Sequence, residues 1–184
     1  EGFLFMKKIG FIMPHTHWDI EWYMPFRLFR FWLINLMDNL ISLCNKDTNF
    51  KTFILDGQVA PLKHYIEIKP EKESNIRELI ISGKICVGPF YTQFDEWLAS
   101  GESIIRNCLC GIRTARSFGK VMKAGYLPDN FGHPSQMPQI LSGFGIDSLI
   151  FMRGLPDKLP NMSNDFYWEG LDGTRIIGVH LSNG

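Results

Sequence analysis

Residues 15–23, HTHWDIEWY, gather two imidazoles, two carboxylates and three large aromatic rings into one short stretch. The apolar run KKIGFIMP at 7–14 precedes them and reads as a buried strand. In extended backbone, residues two apart point the same way, so His17 and Asp19 offer an imidazole nitrogen and a carboxylate oxygen to one place. That pair suits zinc, which takes N and O donors and usually four ligands. His15 shares their parity and competes as a ligand. A second segment, LPDNFGH at 127–133, carries Asp129 in a tight loop fixed by Pro128 and Gly132. Asp129 there is a third ligand, a nucleophile or both, against the plainer role of a turn residue. A carboxylate bonded to a metal is held ionised near neutral pH. Asp95 and Glu96 supply further carboxylates, of the kind more often solvated or orienting than catalytic. Arg153, ending an apolar run, requires a carboxylate or a substrate hydroxyl as partner. Trp18 and Trp22 serve equally as core; Trp22, beside Tyr23, also suits the floor of a sugar site, where an indole stacks on a pyranose. His64 and His180 read as structural, and His133 as ambiguous.

The elements that must position these groups follow from hydrophobic period. Short apolar runs at 7–14, 52–55, 84–88, 121–127, 147–151 and 174–180 read as strands. Between them, Phe26, Phe29, Leu33, Met37, Leu40 and Cys44 recur at three- and four-residue steps and predict a helix over 26–44. Segments 59–68, 71–82, 102–118 and 135–143 read likewise, with Gly83, Gly119 and Gly143 as stops and Ser135 as a cap. Residues 156–173, rich in Pro, Asn, Asp and Gly, predict a long loop around one short strand, DFYWE. Strand–helix alternation argues for a mostly parallel sheet covered by helices. In such folds ligands bind beyond the carboxyl ends of the strands. HTHWD, Asp56-Gly57-Gln58, PFYTQFDEW, LPDNFGH and Met152-Arg153-Gly154 all fall on that rim.

Composition bounds the rest. The chain has 184 residues, 45% of them hydrophobic, enough for a single α/β domain over 1–184. Its 19 basic and 19 acidic residues cancel, which removes the electrostatic case for nucleic acid or an anionic membrane surface. No apolar run approaches the roughly 18–20 residues needed to span a bilayer. Residues 6–15 mimic a signal peptide only through two lysines, since no small-residue cleavage site follows. Met6-Lys7-Lys8 resembles a translation start, placing residues 1–5 outside it, and the end at LSNG suggests the front portion of a longer protein. Cys44, Cys86, Cys108 and Cys110 lack C-x-x-C spacing and read as reduced thiols in a cytoplasmic protein.

The motifs PHTHWDIEWY, LDGQ, GPFYTQFDEWLASGESIIRN, LPDNFGHPSQMPQIL and FMRG, in that order from about residue 6 onward, resemble the N-terminal catalytic region of glycoside hydrolase family 38, the α-mannosidases. The likeness is greatest to the bacterial-type branch, which includes mannosylglycerate hydrolases. It implies a seven-stranded, parallel, barrel-like (β/α) domain, truncated here at its C-terminal end and followed in the family by helical and β-sandwich domains. It implies one Zn2+ held by His17, Asp19 and Asp129, with Asp129 also the nucleophile. Trp22 would lie under the mannose ring, Phe131 and Arg153 would line the same subsite, and Asp95 joins them as a weaker substrate contact. The implied reaction is retaining hydrolysis of an α-mannoside or mannosylglycerate-type substrate, which requires two carboxyl groups roughly 5–5.5 Å apart. In the family the general acid and a fourth zinc ligand, a histidine, lie further along, so the chain by itself is expected to be inactive; the complete enzyme is a candidate homo-oligomer. Asn130 stands where serine or proline is commoner, and Phe26, Leu28 and Phe29 partly replace the arginines usual after the first motif. Two rivals remain: a metal-dependent amidohydrolase or deacetylase, which would add metal histidines at later strand ends, His180 being the one so placed; and a carbohydrate-binding relative without catalysis.

Overall fold

Seven short strands and five helices alternate along the chain in a computed structural model that describes residues 10–155 and 163–181. The strands are β1 (His15–Thr16), β2 (Phe53–Leu55), β3 (Ile85–Cys86), β4 (Gly125–Leu127), β5 (Ser148–Phe151), β6 (Asp165–Glu169) and β7 (Arg175–His180). The helices are α1 (Phe26–Lys46), α2 (Ala60–Ile68), α3 (Glu73–Ser82), α4 (Gly101–Phe118) and α5 (Met137–Gly143), with a 3-10 turn at Pro70–Lys72.

The strands form two sheets, ordered β1-β2-β3 and β4-β5-β7-β6. Every pairing is parallel except β6 with β7. The α/β class and the parallel sheets therefore stand, but no closed barrel forms among the described residues. The two-residue β3 has no ladder to β4, and the seam is crossed instead by Met122 N–H donating to the Val87 carbonyl at 2.9 Å. A side chain crosses it too: Gln93 Nε2 donates to the Asp56 carbonyl at 2.5 Å and the Tyr126 carbonyl at 3.0 Å. Gly57 lies so close beneath Tyr126 that a Cβ would sit 2.7 Å from its carbonyl oxygen.

Two expected strands are displaced. Of the run 7–14, residues 7–9 lie outside the described residues, and Phe11 and Ile12 are 90% and 94% exposed, not buried. The partner strand explains it: β2 begins at Phe53, so the ladder starts at Pro14, whose carbonyl accepts from Ile54 N–H, and continues at His15. Similarly, only Gly125–Leu127 of the run 121–127 pairs, the earlier part following the seam contact at Met122. DFYWE is β6, turned back onto β7 by a tight hairpin in which Gly170 N–H meets the Thr174 carbonyl at 2.8 Å; residues 156–162 of the expected loop lie outside the described residues. Ser135 is not a cap: α5 starts at Met137 after Gln136, without a side-chain cap, because the Pro134 carbonyl takes the Met137 N–H.

Helix α1 buries Phe29, Leu33, Met37, Leu40, Ile41 and Cys44 along one face, as its period requires. Helix α3 stops at Gly83, whose φ of 83° is left-handed. Helix α4 starts at Ser100, whose hydroxyl accepts from Ser103 N–H at 3.2 Å. It joins two cores. Ala115 and Phe118 pack with α1, α2 and α3 over the first sheet, while Ile104, Cys108 and Ile112 pack with Leu127, Leu141, Leu149 and Phe151 over the second. Each fully buried Leu, Ile or Phe contributes about 1.5–3 kcal/mol, so α4 is the clasp between sheets that share no ladder. All four cysteines are free, and burial pushes the Cys108 thiol up to about 12. No helix among the described residues is long and apolar enough to cross a membrane.

Candidate active site

The carboxyl ends of β1, β2 and β4 converge on one imidazole. His17, just beyond β1, directs Nδ1 at Asp56 Oδ1, 3.2 Å away. Asp56 follows β2 with φ of 50°, a left-handed conformation that aspartate tolerates better than most residues. Its carboxylate is fully buried, and its second oxygen, Oδ2, accepts from Trp18 N–H at 2.8 Å and Gln58 Nε2 at 2.7 Å. Gln58 Nε2 also donates to the Trp18 carbonyl, and its Oε1 accepts from Gln93 N–H, so the carboxylate sits in a satisfied polar lattice. The His17 proton is thereby placed on Nδ1, leaving Nε2 as the free lone pair.

That Nε2 atom is buried and has no hydrogen-bond partner. It faces Asp19 Oδ1 at 3.5 Å and Asp129 Oδ2 at 3.7 Å. Both distances exceed a hydrogen bond. They approach the spacing of about 3.3–3.5 Å between donors that share one tetrahedral zinc at about 2.0–2.2 Å. The His17 pKa is raised, first by its hydrogen bond to Asp56, against burial, then by the charges of Asp56, Asp19 and Asp129. Burial in turn pushes the Asp56 carboxyl up, while His17, Trp18 and Gln58 hold it toward the anion. The nitrogen–oxygen donor set and the orphaned Nε2 fit a zinc ion. Among the described residues, however, no three His, Cys, Asp or Glu side chains close round a point as a finished cage. Arg153 meets the other oxygen of Asp129.

Arg153 pairs with Asp129 Oδ1, donates from Nε to the Asp129 carbonyl at 3.1 Å, and lies 4.0 Å over the Phe131 ring. His17, Asp19, Gln93, Asp95, Asp129 and Phe131 line a cavity of about 180 Å3. That is below the roughly 300–1,000 Å3 of pockets for drug-sized ligands and suits one small polar ring. The structure thus brings His17, Asp19, Asp129, Phe131 and Arg153 together, with Asp95 at the margin, where its Oδ1 accepts from Trp97 N–H at 2.9 Å. Trp22 does not line the cavity; it is 72% exposed, edge-on to Tyr23 at 4.7 Å. Trp18 packs against the first core and meets Phe29 edge-on. His15 meets the Tyr126 hydroxyl through Nδ1 at 2.7 Å and lines a separate cavity with Leu36 and Phe53, and His180 Nε2 is 3.0 Å from the Met152 carbonyl. Neither His15 nor His180 lines the cavity at His17, where an amidohydrolase would need further metal histidines.

Sequence reasoning placed Asp56 on the rim without giving it a role. The available signal was LDGQ itself: an acid before glycine at a strand end, where only a bonded carboxylate can be buried. The partnership of Glu96 with His133 carried no sequence signal, since the two are 37 apart.

Polar donors collected at the carboxyl ends of parallel strands are the layout of an α/β enzyme domain. Comparison gives its lineage. The chain belongs to the glycosyl hydrolases family 38 N-terminal domain, whose profile matches residues 8–183. It is 41% identical to the "Putative mannosylglycerate hydrolase" of Halalkalibacterium halodurans over 97% of this chain and 21% of that protein. It is 31% identical to "Alpha-mannosidase 2C1" of Homo sapiens over 92% of this chain and 16% of that protein. Among solved structures, an alpha-mannosidase from Enterococcus faecalis superposes with a TM-score of 0.89 at 36% identity, covering 93% of this chain and 20% of that one. The chain thus spans about a fifth of the length of such relatives.

Proposed function

We propose that this chain carries the nucleophile and most of the metal site of a retaining, zinc-dependent α-mannosidase acting on an α-mannoside or mannosylglycerate-type substrate. The supporting observation is the buried Nε2 of His17, stripped of every hydrogen bond and facing two carboxylates, with its tautomer set from behind by Asp56. His17, Asp19 and Asp129 would hold the ion, which when bound supplies positive charge to orient sugar hydroxyls. Arg153 pairs with one oxygen of Asp129, whose carboxylate lines the cavity. A carboxylate oxygen of Asp129 forms a bond to the anomeric carbon as the glycosidic bond breaks, and water then opens the mannosyl-aspartate. Phe131 offers a ring face to the apolar side of the pyranose, and Trp22, exposed outside the cavity, would have to swing onto the sugar to stack as the family resemblance implies. The role of general acid is assigned to no residue of this chain.

The test uses a polypeptide that contains this region together with the length found in its relatives. It should release mannose from an aryl α-mannoside with retained configuration, lose that activity to a chelator and regain it with zinc. Asp129→Ala should abolish turnover. Turnover that survives Asp129→Ala sinks the nucleophile assignment, and chelator-resistant turnover sinks the zinc.

A further inference from the structure

Behind the Asp129 loop lies a buried acid–base pair that the proposed chemistry does not use. Glu96 is 3% exposed. Its Oε1 accepts from Asn130 Nδ2 at 3.0 Å and meets His133 Nδ1 at 2.7 Å. His133 Nε2 stands 2.9 Å from the Arg153 carbonyl, which can only accept, so Nε2 carries a proton. A second proton lies between Nδ1 and Oε1. Glu96 Oε2 is buried without a partner. Burying a carboxylate with an empty oxygen is costly, and packing alone would be served by apolar residues.

The arrangement ties together three segments. Gly132 lies where a Cβ would be 2.0 Å from Trp97 Nε1, and Gly154 where one would be 2.8 Å from His133 Nε2. These two glycines let the segment after β3, the loop after β4 and the end of β5 close on one another. The His133 ring is fixed further by Phe151 at 4.6 Å and Trp168 at 5.7 Å. From this fixed ring two links run to Asp129. One passes through Glu96 to Asn130, the next residue in the chain. The other holds the Arg153 backbone, whose guanidinium grips the Asp129 carboxylate and covers Phe131.

We propose that Glu96 and His133 are positioning residues that fix the direction of the Asp129 carboxylate, through Asn130 on one side and Arg153 on the other. The catalytic consequence rests on the role proposed for Asp129; the geometric claim does not.

The experiment uses the 184-residue chain labelled with 15N. In the wild type the Arg153 Nε–H should give a slowly exchanging line, and the His133 ring should show a protonated Nε2. Glu96→Gln keeps the shape and one acceptor but leaves the neutral imidazole a single proton for two acceptors, so one link breaks. Glu96→Gln and His133→Asn should each raise Arg153 Nε–H exchange about ten-fold or more and weaken zinc binding by calorimetry about 10–100-fold, the range for groups that orient metal ligands. The amide spectrum of the sheets should be retained. Unchanged Arg153 exchange in a folded Glu96→Gln chain overturns the proposal. So does a His133 ring whose Nε2 is unprotonated in the wild type, a result that requires no variant to fold. If the 184-residue chain binds no zinc, the Arg153 line still decides this proposal, and the metal reading is decided by zinc binding in a polypeptide of the length found in its relatives.

Discussion

Replacing Asp56 by asparagine should reverse the tautomer of His17 and with it the site's capacity for metal. The two oxygens of Asp56 have separate duties: Oδ2 accepts from Trp18 N–H and Gln58, while Oδ1 faces His17 Nδ1. An asparagine must place its oxygen at the Oδ2 position to keep two donors satisfied, which turns its NH2 toward His17. Nδ1 then becomes the acceptor, the ring proton moves to Nε2, and that N–H points at Asp19 and Asp129, 3.5 and 3.7 Å away. The lone pair that would bind zinc is gone. Zinc affinity should fall about 10–100-fold, or about 1.4–2.8 kcal/mol. The metal-free fold should lose little. A charge-assisted bond of about 1.5–3 kcal/mol gives way to a neutral one of about 0.5–1.5 kcal/mol, and the new Nε2–H faces the negative charge of Asp19 and Asp129 instead of a lone pair facing it. Calorimetry with zinc, 15N shifts of the His17 ring and a thermal melt in chelator test the three parts. Unaltered zinc affinity in Asp56→Asn, or a ring still protonated at Nδ1, would refute the reasoning.

Gly111→Ala in α4 should destabilise the chain by about 1–3 kcal/mol despite the better helix propensity of alanine, because its Cβ would lie 2.2 Å from the Pro89 carbonyl oxygen and 2.3 Å from the Phe90 carbonyl carbon; a higher urea midpoint would contradict this. The His133 pKa is raised: burial works to lower it, but the hydrogen bond and charge of Glu96 prevail. A raised folded-state pKa stabilises fully below the unfolded value of about 6.5 and is lost as pH rises through the folded value. The metal-free chain should therefore be more stable at pH 6 than at pH 9, with a shallower dependence in His133→Asn; a stability that rises across this window counts against the pair. Trp22→Ala should leave the melt within about 0.5 kcal/mol, since the side chain is 72% exposed, while raising KM for an aryl mannoside in an active enzyme several-fold, from a stacking contribution of about 0.5–1.5 kcal/mol. An unmoved KM would remove Trp22 from the sugar site.

Local pattern carried the helices well, because burial on a helix is decided by period. The spacing of Phe29, Leu33, Met37, Leu40 and Cys44 marks the face that packs. Strands are decided by a partner that local pattern does not contain. Phe11 and Ile12 look like core and are exposed, since β2 is too short to reach them. The direction of β6 likewise depends on the hairpin to β7. For the site, the gathering of His17, Asp19 and Asp129 was legible because polar residues collect at strand ends in parallel folds. In the sequence Asp56 falls on the rim without a role, Glu96 reads as solvated or orienting and His133 as ambiguous, because each pairs with a side chain distant in the chain. Their burial is visible only when the sheets are docked.

The seam between the sheets has a consequence for how the domain holds together. His17 and Asp19 hang from the first sheet and Asp129 from the second, while Gln93 and Gly57 bring the two ends into contact at Tyr126. An ion bound by all three would be a cross-link between halves that no strand ladder joins. Its binding energy would then also be docking energy. Slow hydrogen exchange along β4 would report metal occupancy as directly as any assay of chemistry, and chelation would loosen the architecture before any strand unfolded.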